Sequence, residues 1–519
     1  MPNRDIFNTG RQAPPATARN ASGGRAYALS DQEALAQYAV TGTFNRTFVT
    51  SARSNFTETL RLARACSPEW VAKVAIYARQ HGLMKDVPVF LVAYLSTLED
   101  KSYFYAAFPY VVNNIGQVRN FVQMIRSGVL GRKSLGTAPK RAIQRFLAGM
   151  PADRIFWQCA GNNPSMPDVL ALVHPRPVNA QQDALYGYLL GREYNFDNLP
   201  TNVQQFERFK SGDTTVVPAV DFRRLTALPL TVTQWTQIAG TMTWNQLRLN
   251  MNTLARHGVF ADTETVNAVA NRLRDERQIA GSGILPFALY NTIENVDAAV
   301  PRVLVNALQD ALEICVLNAP RLPGRTLVAV DSSGSMSQPV TGYRSGSTST
   351  LKCNQAAAFF AAAMLRANPD NVDIICFDTQ VTVPTVNPRD SLTTITRSVS
   401  RNGGGTSVSS VMVWARQQRQ TYDNIVIISD NESWADRSHW YGQSGTSTQE
   451  LFTQYRGRSR NAKLVLWDVV PSSNSQVSGT DNTLRVGGFS DAVFSVIDGF
   501  TQAREDNHWQ TVIGNISLS

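Results

Sequence analysis

The chain reads as two architectures in succession, an all-helical N-terminal part followed by a doubly wound α/β domain, and three observations carry that expectation. Medium-length amphipathic segments joined by short connections fill the first three hundred residues. Four continuous apolar runs separated by helix-prone stretches fill the rest, the pattern of parallel strands buried on both faces. Charge divides at the same place. From Arg325 onward 16 basic side chains face 16 acidic ones, so the whole excess of +9 lies upstream.

Taken in order, the first two dozen residues hold Arg4, Arg11, Arg19 and the adjacent prolines Pro14 and Pro15 with little apolar character. Residues 1–26 are expected to form a flexible tail and lack the apolar core of a secretory signal. Ser67-Pro68-Glu69 starts a helix, with Trp70, Val71, Val74, Ala75 and Ala78 on one face and His81-Gly82 ending it. A second helix is expected from Asp86-Val87-Pro88. Similar segments recur near Val111 to Arg126, Ala138 to Ala148, Val203 to Phe209, Trp244 to His257 and Ala261 to Arg274. Stacked helical pairs over residues 27–324 are the natural architecture for so many medium helices.

The second part opens near Arg325 and is expected to run almost to Ser519. Its strands are Thr326 to Val330, Asp373 to Phe377, Ile425 to Ile428 and Leu464 to Trp467, and Asn354 to Leu365 is Ala-rich and helix-prone. Chemistry gathers at the ends of two of them. Asp331, Ser333 and Ser335 form D-x-S-x-S where the first strand runs out, Gly403-Gly404-Gly405-Thr406 is a glycine loop ending in a hydroxyl, and Asp430 closes the third strand. Ligands of open α/β sheets lie outside the carboxyl ends of the strands, so these segments can converge. A carboxylate with two hydroxyls suits a hard cation, Mg²⁺ before Mn²⁺. The plain alternative is that such aspartates cap helices. In order and spacing the pattern resembles the metal-ion-dependent adhesion site of von Willebrand factor A domains. That resemblance implies Ser333, Ser335 and Thr406 as hydroxyl ligands, Asp331 and Asp430 acting directly or through water, and an open position for an acidic side chain of a protein partner.

The basic excess has a focus. No Asp or Glu occurs between Asp100 and Asp153, whereas Lys101, Arg119, Arg126, Arg132, Lys133, Lys140, Arg141 and Arg145 do. On a folded surface that is a footprint for a polyanion. Interleaved aromatics such as Phe104, Phe108 and Phe121 are expected to be mostly core. The five cysteines are scattered, odd in number and never in C-x-x-C spacing, which argues for a reducing cytoplasm, and no apolar stretch reaches the length of a membrane span.

The segments Trp70 to Asp86, Met242 to Phe260 and Leu285 to Glu294, followed at once by the metal-site domain, resemble the TROVE module of the Ro autoantigen family. The resemblance covers the chain after the tail. It implies a ring of HEAT-like repeats closed by a von Willebrand A domain, and a ribonucleoprotein with small noncoding Y-like RNA that holds single-stranded 3′ ends of misfolded RNA in quality control. It implies no catalytic activity. Ser165 to Pro177 resembles the stretch with an RNA-contacting histidine, which places His174 in that role. The basic run that precedes it in animal members is absent, since Phe156 to Asn163 stands there. Lys133, Lys140, Arg141 and Arg145 are therefore expected to supply the phosphate contacts. A threaded 3′ end could pass to a 3′ exoribonuclease. The competing expectation is a metal-dependent protein-interaction module without RNA binding. An ATP-driven machine is disfavoured, because Gly128 to Ser134 has the glycine and lysine at the wrong spacing for a phosphate-binding loop.

Overall fold

A computed structural model describes residues 12–42, 44–47, 50–161, 164–284, 286–316, 319, 321–343, 351–436, 445–480, 482–502 and 509–518. The chain divides into two compact units. The first joins the segment up to Trp70 with residues 316–516, and the second holds most of residues 71–315.

In the first unit a hairpin of β1 (Ala18–Arg19) and β2 (Arg25–Ala28) precedes the helices α1 (Asp31–Thr41) and α2 (Ala52–Ala65). The main sheet contains β3 (Thr326–Asp331), β4 (Val372–Phe377), β5 (Val381–Thr382), β6 (Asn424–Ser429), β7 (Lys463–Asp468) and β9 (Thr483–Gly487), in the order β5-β4-β3-β6-β7-β9. All neighbours are parallel except β5, which runs antiparallel at one edge. The short β8 (Asn474–Ser475) pairs instead with β2.

Successive strand residues point to opposite faces, and both faces are covered. Leu327, Ala329, Ile425, Ile427, Leu464 and Leu466 pack with Val411, Met412, Phe452 and Tyr455 from the helices Ser409–Gln417 and Ser447–Tyr455. The opposite face meets the Ala-rich helix Cys353–Ala367, whose Phe360 ring lies 4.5 Å from that of Trp467. The continuous apolar runs therefore mark what they were expected to mark. The edge strands β5 and β9, short or interrupted by Arg485, carry no such signal.

Two expectations about the N-terminus need correction. Within the supposed tail, Ala18 and Arg19 pair with Ala26 and Arg25, and just beyond it Tyr27 pairs with Ser475 on β8. The boundary at residue 27 also moves, because α1 packs on β9 and not among the helical repeats. The physical reason lies in α1 itself. Its residues Glu33 to Thr41 are all buried, including the polar Gln37, whose side-chain amide donates to the Val470 carbonyl at 3.2 Å. A helix buried all round must be covered by more than one element.

The second unit is a succession of helices: α3 (Pro68–Gln80), α4 (Asp86–Leu95), α5 (Ser102–Val111), α6 (Ile115–Arg126), α7 (Thr137–Ala148), α8 (Ala152–Gln158), α9 (Met166–Val173) and α10 (Ala180–Leu190), then further helices up to Arg302–Cys315. α4 packs on α5 and α6, α9 on α6 and α7, and α10 on α8 and α9. Phe104, Phe108 and Phe121 form one ring cluster with centroids 5.4–6.1 Å apart, the core role expected of them. Asn114 breaks the expected Val111–Arg126 segment by capping α6, its side chain accepting from the Gln117 N–H at 3.0 Å. Trp244 to His257 is likewise two helices, meeting at Asn250. Leu285 of the third resemblance segment lies outside the described residues.

Candidate functional site

The first unit brings the D-x-S-x-S motif, the glycine loop and the end of β6 together at the carboxyl edge of the sheet. β3 and β6 are adjacent, which sets Asp331 beside Ser429. Asp331 is fully buried. Its Oδ1 accepts from the Ser333 N–H at 2.8 Å and its Oδ2 from the Ser429 hydroxyl at 2.5 Å. The hydroxyls of Ser333 and Ser335 lie 3.1 Å apart, and Ser335 neighbours Asp430.

Backbone bonds carry the glycine loop across this edge. Gly403 N–H donates to the Ser332 carbonyl at 2.5 Å, and Gly334 N–H to the Gly404 carbonyl at 3.0 Å. Gly403 must lack a side chain, because a Cβ there would collide with the Asp378 carboxylate, which also accepts from the Gly404 N–H at 3.1 Å. The Thr406 carbonyl then accepts from Trp434 and Ala435 at 3.2 and 3.0 Å, tying the loop to the segment after β6. All five expected residues, Asp331, Ser333, Ser335, Thr406 and Asp430, are buried in this one region.

Burial dominates the electrostatics of the site. Burial, and then the neighbouring Asp430, push the Asp331 carboxyl well above the usual carboxylate range, and burial does the same to Asp430. Asp430 Oδ1 accepts from the Glu432 N–H at 3.3 Å, whereas its buried Oδ2 has no hydrogen-bond partner. Two adjacent buried carboxylates, one with an unsatisfied oxygen, surrounded by hydroxyls, fit a hard divalent cation. Among the described residues no three of His, Cys, Asp and Glu cluster as metal ligands, so hydroxyls would have to complete the set.

In the second unit the acid-free stretch resolves into two kinds of cation. Arg119 and Arg132 serve the fold: Arg119 donates to the carbonyls of Pro164 and Ala160 at 2.5 and 3.1 Å, and Arg132 to the carbonyl and hydroxyl of Ser96 at 3.1 and 3.0 Å. Arg126, Lys133, Arg141 and Arg145 are exposed and Lys140 is half-buried. Arg145 lies over the Tyr105 ring, 5.7 Å from its centroid. His174 is exposed and caps the C-terminus of α9 in the left-handed region, φ 50°. The Gln144 side chain on α7 donates to the Val173 carbonyl at 2.9 Å, which brings His174 onto the same surface as Lys140 and Arg141.

Residues 325–501 match the family model of the Ro60 vWA domain. The whole chain is 26% identical to the RNA-binding protein RO60 of Deinococcus radiodurans, over 93% of this chain and 95% of that protein. The chain is thus similar to Ro proteins along most of its length, and its C-terminal part to the Ro60 vWA domain. RNA-binding protein RO60 of Caenorhabditis elegans is 24% identical over 47% of this chain and 38% of its own length. The crystal structure of the Deinococcus radiodurans Ro (RSR) protein shares the fold, with a TM-score of 0.62 at 23% identity, covering 91% of this chain and 99% of that one.

The same sheet edge also holds residues outside the D-x-S-x-S motif and the glycine loop. Asp468 ends β7 beside Ser429; burial, then Asp430, push its carboxyl far up, and its Oδ1 has no hydrogen-bond partner. An Asp closing an apolar strand, as at positions 331 and 430, was the available signal. Trp434 stands 56% exposed with its ring over Gly405, at the rim of the site. The loop holding both Asp430 and Trp434 is clamped from the N-terminal hairpin. The Asn20 amide donates to the carbonyls of Ser433 and Asn431 at 2.9 and 3.4 Å, and the Ser22 N–H donates to Glu432 at 3.0 Å. No local pattern in residues 18–26 announces that partner 410 residues away.

Proposed function

We propose that this Ro-like protein binds RNA through the surface built by α6, α7 and the end of α9, forming a ribonucleoprotein with a small noncoding Y-like RNA. The carrying observation is the solvent-facing Lys133, Arg141 and Arg145 with half-buried Lys140, drawn from a stretch of sequence free of acids, and exposed His174, which the Gln144 bond from α7 brings beside Lys140 and Arg141. Phosphate contacts supply affinity and its salt dependence while conveying little sequence information, so recognition would rest on RNA shape. The two RO60 relatives are RNA-binding proteins by name, which supports the same class of ligand. Binding of single-stranded 3′ ends of misfolded RNA, delivery of such ends to a 3′ exoribonuclease, and a role in cytoplasmic RNA quality control without catalysis by this chain extend the same reading.

The site at the carboxyl edge of the sheet serves, in this proposal, to hold Mg²⁺ or Mn²⁺ through Ser333, Ser335 and Thr406, with Asp331 and Asp430 as carboxylates. When bound, the cation supplies a positive centre with an open coordination position for an acidic side chain of a protein partner. Asp331 is oriented for this by Ser333 and Ser429, and Trp434 offers an apolar contact at the rim. Purification from the native host at gentle salt, followed by sequencing of the accompanying nucleic acid, tests the RNA reading. A discrete small structured RNA, or fragments with protruding 3′ ends, is the expected result. Protein free of nucleic acid but retaining a Mg²⁺-dependent partner overturns it in favour of the protein-interaction module.

A further inference from the structure

A cavity of about 420 Å³ opens at the start of α7, and its cations come from three separate segments: Arg126 at the end of α6, Lys133 in the connection and Lys140 in α7. Leu135 and Leu172 form apolar walls and no acidic residue lines it. Apolar walls lower the local dielectric and strengthen the attraction of an anion to these charges. The Lys133 stem runs past Gly128, where a Cβ would come within 3.3 Å of Lys133 Cε. Arg126 has Asp168 as an acidic neighbour, but that carboxylate accepts from the Ser165 N–H and hydroxyl at 2.8 and 2.6 Å and stands outside the wall. Gly136, φ 76°, is the N-cap of α7 and lines the recess with Thr137, and the helix has no side-chain cap and no acid in its first turn. Each of these features favours phosphate oxygens.

Three cations around one recess exceed what an internal phosphodiester, with a single negative charge, requires. A phosphate monoester carries about −1.5 to −2 at neutral pH and presents three oxygens. We infer that the Arg126, Lys133 and Lys140 cavity seats a terminal phosphate of the bound RNA, which would make this surface sensitive to the chemical state of an RNA end. The inference rests on the RNA-binding reading above and deepens it.

The test uses the full chain and one oligoribonucleotide sequence in three forms, with a 5′-phosphate, with a 3′-phosphate and with hydroxyls at both ends, titrated by fluorescence anisotropy at fixed salt. One phosphorylated form should bind at least about fivefold more tightly than the hydroxyl form, the scale of a charge-assisted contact, and which form does so identifies the end. In Arg126→Ala/Lys133→Ala, checked for an unchanged melting temperature, that ratio should fall to about one. Because the readout is the ratio between RNA forms, a general loss of affinity does not imitate it, and Arg145→Ala should leave the ratio as it is. Equal binding of all three forms to the wild type, or a ratio preserved in the double variant, overturns the terminal-phosphate assignment alone. Failure of all three to bind overturns the RNA-binding reading and this assignment with it.

Discussion

Asp430 sets the logic of its site at the level of a single atom. An oxygen buried without a partner beside a second carboxylate is unfavourable for the charged pair, and a bound cation relieves both problems. Asp430→Asn should therefore leave the metal-free protein as stable as the wild type or more so, while abolishing its response to metal. For the wild type, saturating Mg²⁺ at a hundred times its Kd should add about 2.7 kcal/mol to unfolding stability. Calorimetric melts of both proteins with and without Mg²⁺ check this; an equal shift in the variant would remove Asp430 from the ligand set. The motif D-x-S-x-S and the terminal aspartates were legible as sequence. The orphaned oxygen was not, because it depends on which donors the folded loops leave pointing elsewhere.

The N-terminal hairpin shows how an element gains meaning from its dock. Asn20 is buried and bridges two carbonyls of the loop after Asp430, and a Cβ at Gly24 would collide with the Ser433 carbonyl. Asn20→Ala leaves the Ser433 carbonyl without its Asn20 donor and the Asn431 carbonyl with Gln476 alone, and should cost about 1–3 kcal/mol, read from urea denaturation. An unchanged midpoint would mean that the hairpin does not hold the loop. On α7, Lys140→Ala with Arg141→Ala should weaken RNA binding and lower the slope of log K against log salt by about one unit for each phosphate that is no longer neutralised; binding unaltered across a salt series would take these residues off the interface. The helix over 137–148 was readable from its apolar period. That Lys140 lines a cavity while Arg132 is spent on Ser96 was not, since both are simply cations in one acid-free run.

Across the whole molecule, the two candidate sites lie in different compact units, with Asp331 in one and Lys140 in the other. Asp331→Ala should abolish binding of Mn²⁺, followed by its paramagnetic resonance, and leave RNA affinity within about twofold, inside the range of a weak indirect coupling. The Lys140/Arg141 variant should show the reverse. Equal loss of both activities from either variant would mean that metal and RNA share one surface.

The sequence by itself determined the class of each half, the four central strands, the order of the metal-site segments and the basic stretch, because burial on both faces and local charge are written in consecutive residues. The tertiary structure decided the rest. It took residues 18–41 from a supposed tail and helical repeat and placed them against the α/β domain, through hydrogen bonds such as Gln37 to Val470 and Arg485 to Glu33. It added the antiparallel edge strand β5, sorted structural from solvent-facing arginines, and set Asp468 beside Ser429. Each of these depends on pairings between residues far apart in the chain, and a hydrogen bond across 410 positions leaves no period, run or spacing at either of its ends.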